Sequence, residues 1–207
     1  FLIKKNSNFF DFVKVITSPS NIKHEIRLIN GWYKYQLKDY LSNFLNKKFD
    51  FILENIISDT YFINKSNSIN ELTYLMLSEK NKIFSNNKNS LLLKEYSYKE
   101  IMIIASLVEK EALDENDKYN VSSVIINRLN RKMRLQIDAT VIYSITEGEY
   151  KLERELTYND LKIKHPFNTY KINALPPDLI STVSKKTIEI VLENYKTNYL
   201  YYFYNKI

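Results

Sequence analysis

The sequence predicts an α+β protein, and three features carry that expectation. Residues 24–45 read as strand, turn and helix: HEIRLI (24–29) alternates polar and apolar residues, Asn30-Gly31 is a turn dipeptide, and Leu37, Tyr40, Leu41 and Leu45 recur at helical spacing. Residues 97–147 read as three successive helices, each with its own start signal. YLYYFY (199–204) reads as a strand, being almost wholly aromatic. Strands at both ends of a mainly helical chain are the pattern of the α+β class.

The remaining elements follow in order. After the apolar run FDFILENII (49–57), TYFI (60–63) reads as a short strand, and Asn67 or Ser68 is placed to cap a helix over 69–84. The polar stretch Ser85 to Ser90 is the best linker candidate. Ser97-Tyr98-Lys99-Glu100 fits a capping box, and Ile101, Ile104, Ala105, Val108 and Ala112 then share one helix face. Asn116 or Asp117 is expected to cap the next helix, which carries Val121, Val124, Ile125 and Leu129. Asp138 is expected to cap a third, ended by Gly148 at C′. Pro166 and Pro176-Pro177 mark a loop-rich stretch before a last helix, which starts at Ser184 and carries Ile188, Val191 and Leu192.

Composition narrows the function classes. With 207 residues and 24.7 kDa the chain can bury one core, or one core and a small satellite. Its 17 Tyr and 11 Phe argue for a folded chain despite the many Asn and Lys. The two glycines, Gly31 and Gly148, cannot make a Gly-rich phosphate loop. Cys is absent, and His24 and His165 stand in no metal-binding spacing, so no metal and no cofactor is expected. A net charge of +6 and a pI of about 9.1 favour an anionic partner, although the Lys residues are scattered and form no long run. The longest apolar stretch, 101–108, is too short to span a bilayer. Because the chain begins at Phe1 rather than Met, it reads as a fragment or a processed form.

Four polar-bearing segments between Ile101 and Asp178 read as a site: ASLVEKEA (105–112), VIINRL (124–129), LQIDATVIY (135–143) and HPFNTYKINALPPD (165–178). Glu109 is the first candidate for the chemistry. Its helical neighbours are Ser106, Ala105, Ala112 and Leu113, with no Lys or Arg among them. A carboxylate on such an apolar arc has its pKa raised by desolvation, which suits a general acid. The alternative is a structural ion pair with a base from another element, such as Arg128. Glu111 lies about 200° around the helix from Glu109, so the two acids cannot flank one bond, and Asp138 is the candidate for any second carboxylate. Asn127 and Arg128 could bond a sugar or an anion, or simply form a solvated helix edge. Gln136 and Asp138 point the same way by alternation. Asn168, Thr169 and Tyr170 sit in a stretch too polar for core, where Tyr170 offers a face to a sugar ring or serves as a hydrophobic plug.

Taken in order, ASLVEKEA, VIINRL, LQIDATVIY and FNTYKINALPP resemble successive motifs of the endolytic murein transglycosylases, the YceG-like family. SDTYFI (58–63) is similar to the segment preceding that family's catalytic region, and RLINGWYKYQLKDYL (27–41) to its LysM-like module. The resemblance implies a partial LysM-like α/β module over 1–50, a connecting segment over 51–90, and over 91–207 a mainly helical catalytic domain with edge strands, lacking its C-terminal part. Departures from the pattern are Asn30 for Glu, Ile137 for Thr, Ala139 for Pro, His165-Pro166-Phe167 for Ser-Pro-Tyr, and Ala174 for Gly.

The resemblance also implies an activity. Enzymes of this kind cleave the bond between N-acetylmuramic acid and N-acetylglucosamine within peptidoglycan strands without water, leaving 1,6-anhydromuramic ends. Glu109 would act as acid and then base, and Asn127, Arg128, Gln136, Asp138, Thr140, Tyr143, Asn168, Thr169 and Tyr170 would bind substrate. The implied partners are glycan strands and the cell-wall synthesis machinery. The implied location is the extracytoplasmic face of the bacterial cell membrane, with an anchor upstream of Phe1. Two competing readings are a peptidoglycan-binding scaffold without activity and a basic nucleic-acid-binding protein that stacks bases on Tyr. No nucleic-acid motif accompanies the charge, so nucleic acid is not the expected partner.

Overall fold

The computed structural model describes residues 2–18, 22–46, 51–64 and 68–203. In chain order these form α1 (Phe9–Thr17), β1 (Lys23–Arg27), α2 (Lys34–Leu45), β2 (Ile57–Ser58), β3 (Thr60–Asn64), α3 (Ser68–Asn86), α4 (Tyr98–Glu111), α5 (Glu115–Asn130), α6 (Asp138–Thr146), β4 (Val183–Ser184) and α7 (Lys185–Glu193). The class is α+β. Two small sheets accompany the helices: β1 pairs antiparallel with β3 from Lys23↔Asn64 to Arg27↔Thr60, and β2 pairs parallel with β4 at Ile57↔Val183 and Ser58↔Ser184.

Helix α4 is the axis of the core. Every residue from Ile101 to Glu109 is buried, and α5, α6, α7 and β4 pack around it. Its start is set locally, because the Ser97 side chain caps the Glu100 N–H while Glu100 accepts the Ser97 N–H at 2.7 Å. It ends at Glu111, where Ala112 turns extended and Asp114 caps α5 by accepting the Asp117 N–H at 2.9 Å. The cap is therefore Asp114 rather than Asn116 or Asp117, and Asp117 is instead the residue whose N–H is capped. Helix α6 starts at Asp138 after Ile137, with no side-chain cap; the Asp138 carboxylate is committed elsewhere. Glu147 and Gly148 close α6 at φ 52° and 73°.

One connection fixes the site. The Gly31 N–H donates to the Thr182 carbonyl at 2.9 Å, the Thr182 N–H to the Trp32 carbonyl at 2.9 Å, and the Thr182 hydroxyl to the Ile29 carbonyl at 2.7 Å. The Asn30-Gly31 turn, with Gly31 at φ +74°, is thus held against the segment entering β4, beside the last turn of α4.

Two expectations meet a different outcome. The polar stretch 85–90 is not an open tether: α3 runs through Asn86, and the Ser90 hydroxyl donates to the Leu192 carbonyl. Residues 199–203 form no strand. Their backbone is met by side chains of α5 instead of a ladder partner, with Asn127 Nδ2 donating to the Thr197 and Tyr199 carbonyls at 2.9 Å each, and Arg128 Nε to the Leu200 carbonyl at 2.7 Å. Tyr204 and the capping residue Asn67 lie outside the described residues.

Candidate active site

The two glutamates of the VEKE segment leave α4 on opposite sides, as the helical wheel requires, but their surroundings are the reverse of the expected ones. The Glu109 side chain is 1% exposed. One oxygen accepts from the Ser184 N–H at 3.0 Å, the Ser184 hydroxyl at 2.6 Å and the Thr187 hydroxyl. The other accepts from Asn30 Nδ2 at 2.7 Å and Lys118 Nζ at 3.0 Å. Burial would raise its pKa. The bonds from Ser184, Thr187 and Asn30, with the charge of Lys118, outweigh burial and hold the carboxyl below its ordinary value. Glu109 is thus an ionised, fully bonded tie between α4, α5, α7 and the Asn30 turn, and its cation is Lys118 rather than Arg128. The apolar arc that seemed to leave it unpaired is what turns it toward these partners.

Glu111 opens instead into a cleft of about 420 Å³ lined by Arg128, Gln136, Asp138, Tyr170 and Tyr202, with Lys110 and Leu113 at its edge. The Tyr202 hydroxyl donates to Glu111 Oε2 at 2.8 Å. Burial, and behind it the negative charge of Asp138, raise the Glu111 pKa above the ordinary value, against the Tyr202 bond and the Lys110 charge. Across the cleft the Tyr170 hydroxyl donates to Asp138 Oδ1 at 2.6 Å, and burial with the Asp138 carboxylate keeps that phenol protonated. Lys110 reaches back to the Gly31 carbonyl at 3.1 Å and lies over the Tyr33 ring, 4.0 Å from its centroid.

Of the residues expected at the site, Arg128, Gln136, Asp138 and Tyr170 meet in this cleft. Arg128 is buried rather than on a solvated edge. Its Nε and Nη1 are spent on the Leu200 and Leu135 carbonyls, and its plane lies 5.0 Å from the centre of the Tyr201 ring. Gln136 takes φ +54° and ties its N–H to the Thr169 carbonyl at 3.2 Å, which leaves its side chain exposed in the cleft.

The others support the cleft from behind. Asn127 clips the 197–199 backbone. Thr140 and Thr169 are fully buried, joined hydroxyl to hydroxyl at 2.8 Å, and Thr169 accepts the Ile137 N–H at 2.9 Å. Asn168, also fully buried, donates to the Leu161 and Ile163 carbonyls and accepts the Tyr170 N–H at 2.9 Å. Asn168 and Thr169 are core after all, their side chains hydrogen-bonded within the protein, while Tyr170 beside them turns to the cleft. Tyr143 is buried against Phe167 at 4.6 Å, with Lys34 Nζ 5.9 Å from its ring centre, on the side of α2 rather than the cleft. The sequence reading missed Glu111, Lys110 and Tyr202. For Glu111 a signal existed: it is the last helical residue before a chain reversal, where a side chain escapes the core.

The sequence profile of the YceG-like family matches residues 1–206. The chain is 34% identical over 172 residues to the endolytic murein transglycosylase of Bacillus subtilis (strain 168), covering 82% of this chain and 47% of that protein. It is 32% identical over 146 residues to the endolytic murein transglycosylase of Streptococcus pneumoniae serotype 2 (strain D39 / NCTC 7466), covering 69% of this chain and 26% of that protein. The chain thus spans about half the length of the first relative and about a quarter of the second. The 2.6 Å crystal structure of the yceG-like protein lmo1499 from Listeria monocytogenes has the same fold, with a TM-score of 0.73 at 24% identity over 93% of this chain and 72% of that one. With a profile match over nearly its whole length and relatives a third identical over most of it, this chain belongs to the YceG-like family.

Proposed function

We propose that this chain carries out lytic transglycosylation of peptidoglycan glycan strands, with Glu111 as the single acid and base. The observation that supports it above all is the cleft in which Glu111, held above the ordinary carboxyl pKa, faces Asp138, Tyr170 and Arg128. A carboxyl in that state holds its proton nearer neutrality and can give it to a leaving oxygen. Glu111 protonates the glycosidic oxygen between N-acetylmuramic acid and N-acetylglucosamine, and the C1–O bond breaks. The muramic C6 hydroxyl closes on C1, and its proton returns to the Glu111 carboxylate. No water is consumed, the leaving sugar keeps one proton, and the muramic end becomes a 1,6-anhydro ring. The Tyr170 ring offers a sugar-stacking face, Asp138 and Gln136 accept or donate to sugar hydroxyls, and Arg128 and Lys110 favour carboxylates on the polymer.

This chemistry belongs at the extracytoplasmic face of the bacterial cell membrane, alongside the cell-wall synthesis machinery. No helix among the described residues is long and apolar enough to cross a membrane. Digestion of purified sacculi followed by mass analysis tests the reaction: 1,6-anhydromuramic ends, lighter by one water than reducing ends, are the expected product. Reducing ends would refute the one-carboxylate scheme.

A further inference from the structure

The segment after α7 is bonded along its length to one helix. Ser123, Asn127 and Arg128 lie within five positions of one another on α5 and all bond the same stretch of chain. Thr197 is fixed twice by Ser123, its N–H donating to the Ser123 hydroxyl at 3.0 Å and the two hydroxyls meeting at 2.8 Å. Asn127 holds the Thr197 and Tyr199 carbonyls, and Arg128 holds the Leu200 carbonyl while lying over the Tyr201 ring. Exposure alternates along residues 199–203, the pattern of side chains that point in turn to opposite sides. With Tyr199, Tyr201 and Phe203 exposed, Leu200 and Tyr202 are turned inward. The clips therefore dictate which tyrosine of YLYYFY reaches the cleft, and its hydroxyl arrives 2.8 Å from Glu111 Oε2.

We propose that residues 197–202 are a strap that completes the cleft and that Tyr202 is a positioning residue, its hydroxyl holding the Glu111 carboxyl in one orientation toward the substrate. This rests on the cleft assigned above. The carboxyl is faced from α4 by Lys110, from α5 by Arg128, from α6 by Asp138, from the 165–178 loop by Tyr170 and from the strap by Tyr202. Tyr202 donates to the ionised form and so favours it, whereas the Asp138 charge disfavours it. Their removal must act in opposite directions.

The test is a carbon-13 NMR titration of the Glu side-chain carboxyls in the intact chain, with the Glu111 signal identified by its absence in Glu111→Gln. Tyr202→Phe keeps the ring, and the proton affinity of Glu111 is expected to rise by about three- to tenfold, the scale of one hydrogen bond to a partly screened charge. Asp138→Asn is expected to lower it. In turnover assays Tyr202→Phe should lower kcat with little change in KM, and the fall in rate at high pH should move upward with the titration. An unmoved Glu111 midpoint in Tyr202→Phe overturns the proposal. If that variant folds poorly, Asn127→Ala reports in its place, since it releases two clips and leaves Tyr202 intact: an upward midpoint supports the strap, and an unmoved one overturns it. Cleavage surviving in Glu111→Gln would remove the catalytic reading alone, because the titration reads the strap's hold on the carboxyl without any turnover.

Discussion

Replacing each glutamate of the VEKE segment by glutamine tests which carboxylate is structural and which reacts. In Glu109→Gln an NH₂ group must face either Asn30 Nδ2 and Lys118 Nζ, or the Ser184 N–H and the Ser184 and Thr187 hydroxyls, all of which donate to the wild-type carboxylate. Lys118, 15% exposed, loses its counter-charge in either orientation, while its bond to the Thr187 hydroxyl remains. Breaking a buried pair costs about 3–5 kcal/mol, and the remaining partner and partial exposure of Lys118 place this case near the lower end, about 3 kcal/mol. For a chain of this size that lowers Tm by about 6–12 °C. Glu111→Gln acts the other way. A carboxyl whose folded pKa lies above its unfolded one makes the folded state lose stability as pH rises through those two values, and the penalty is complete above the folded one. Neutralising it should leave Tm at pH 7 unchanged or higher. Activity is expected to split oppositely, with Glu111→Gln losing about 10²–10⁴ in rate while folded Glu109→Gln still cleaves. Thermal unfolding followed by circular dichroism, paired with sacculus digestion below the lower Tm, measures both. A Glu109→Gln variant as stable as wild type, or a Glu111→Gln variant that is active and destabilised, would refute the assignment.

Other outcomes follow from the same geometry. The fold should weaken in acid: the Glu109 pKa is lowered on folding, so its contribution is present above the ordinary Glu value and disappears as pH falls through the lowered one, which denaturant midpoints at stepped pH will read. Turnover should decline as pH rises through a midpoint above the ordinary Glu value, since Glu111 starts protonated; a decline centred at or below that value would count against its role. Gly148→Ala should cost about 1–3 kcal/mol in urea unfolding, because φ is +73° and the added Cβ would sit 2.8 Å from Tyr143 Cε2. Asn168→Ala leaves the Leu161 and Ile163 carbonyls and the Tyr170 N–H without this partner. It should cost about 2–3 kcal/mol and raise KM by loosening the loop that carries Tyr170.

The segments 105–112, 124–129, 135–143 and 165–178 stood out in the sequence because their polar residues are too dense for an ordinary core, and residues from all four line one cleft or its backing. The division between lining and backing was not legible. Thr140 and Asn168 look like ligands for a sugar until the Ile137, Leu161 and Ile163 carbonyls appear as their partners, and the bonds that Thr169 makes to the Ile137 N–H and the Thr140 hydroxyl close only when the 165–170 loop folds onto α6. Arg128 and Asn127 likewise found backbone of the 197–200 segment, about 70 residues away in sequence.

By itself the sequence determined what is decided within a turn or two of chain. The Ser97 capping box and the Ser184 cap were readable because donor and acceptor lie within four residues of each other, and the Asn30-Gly31 turn because Gly31 takes the positive φ it requires at no steric cost. The wheel that sets Glu109 and Glu111 on opposite faces was readable for the same reason. Which face meets the cleft was a tertiary decision. Asn30, Lys118, Ser184 and Thr187 reach Glu109 from the turn after β1, from α5 and from the start of α7, while Asp138 and Tyr202 reach Glu111 from α6 and the strap. The proton affinity of a carboxyl is set by whichever donors and charges arrive at its oxygens, and no spacing within VEKE states which will. The same holds for YLYYFY: its composition favours a strand, but a strand exists only where a ladder partner is supplied, and here α5 supplied side chains instead.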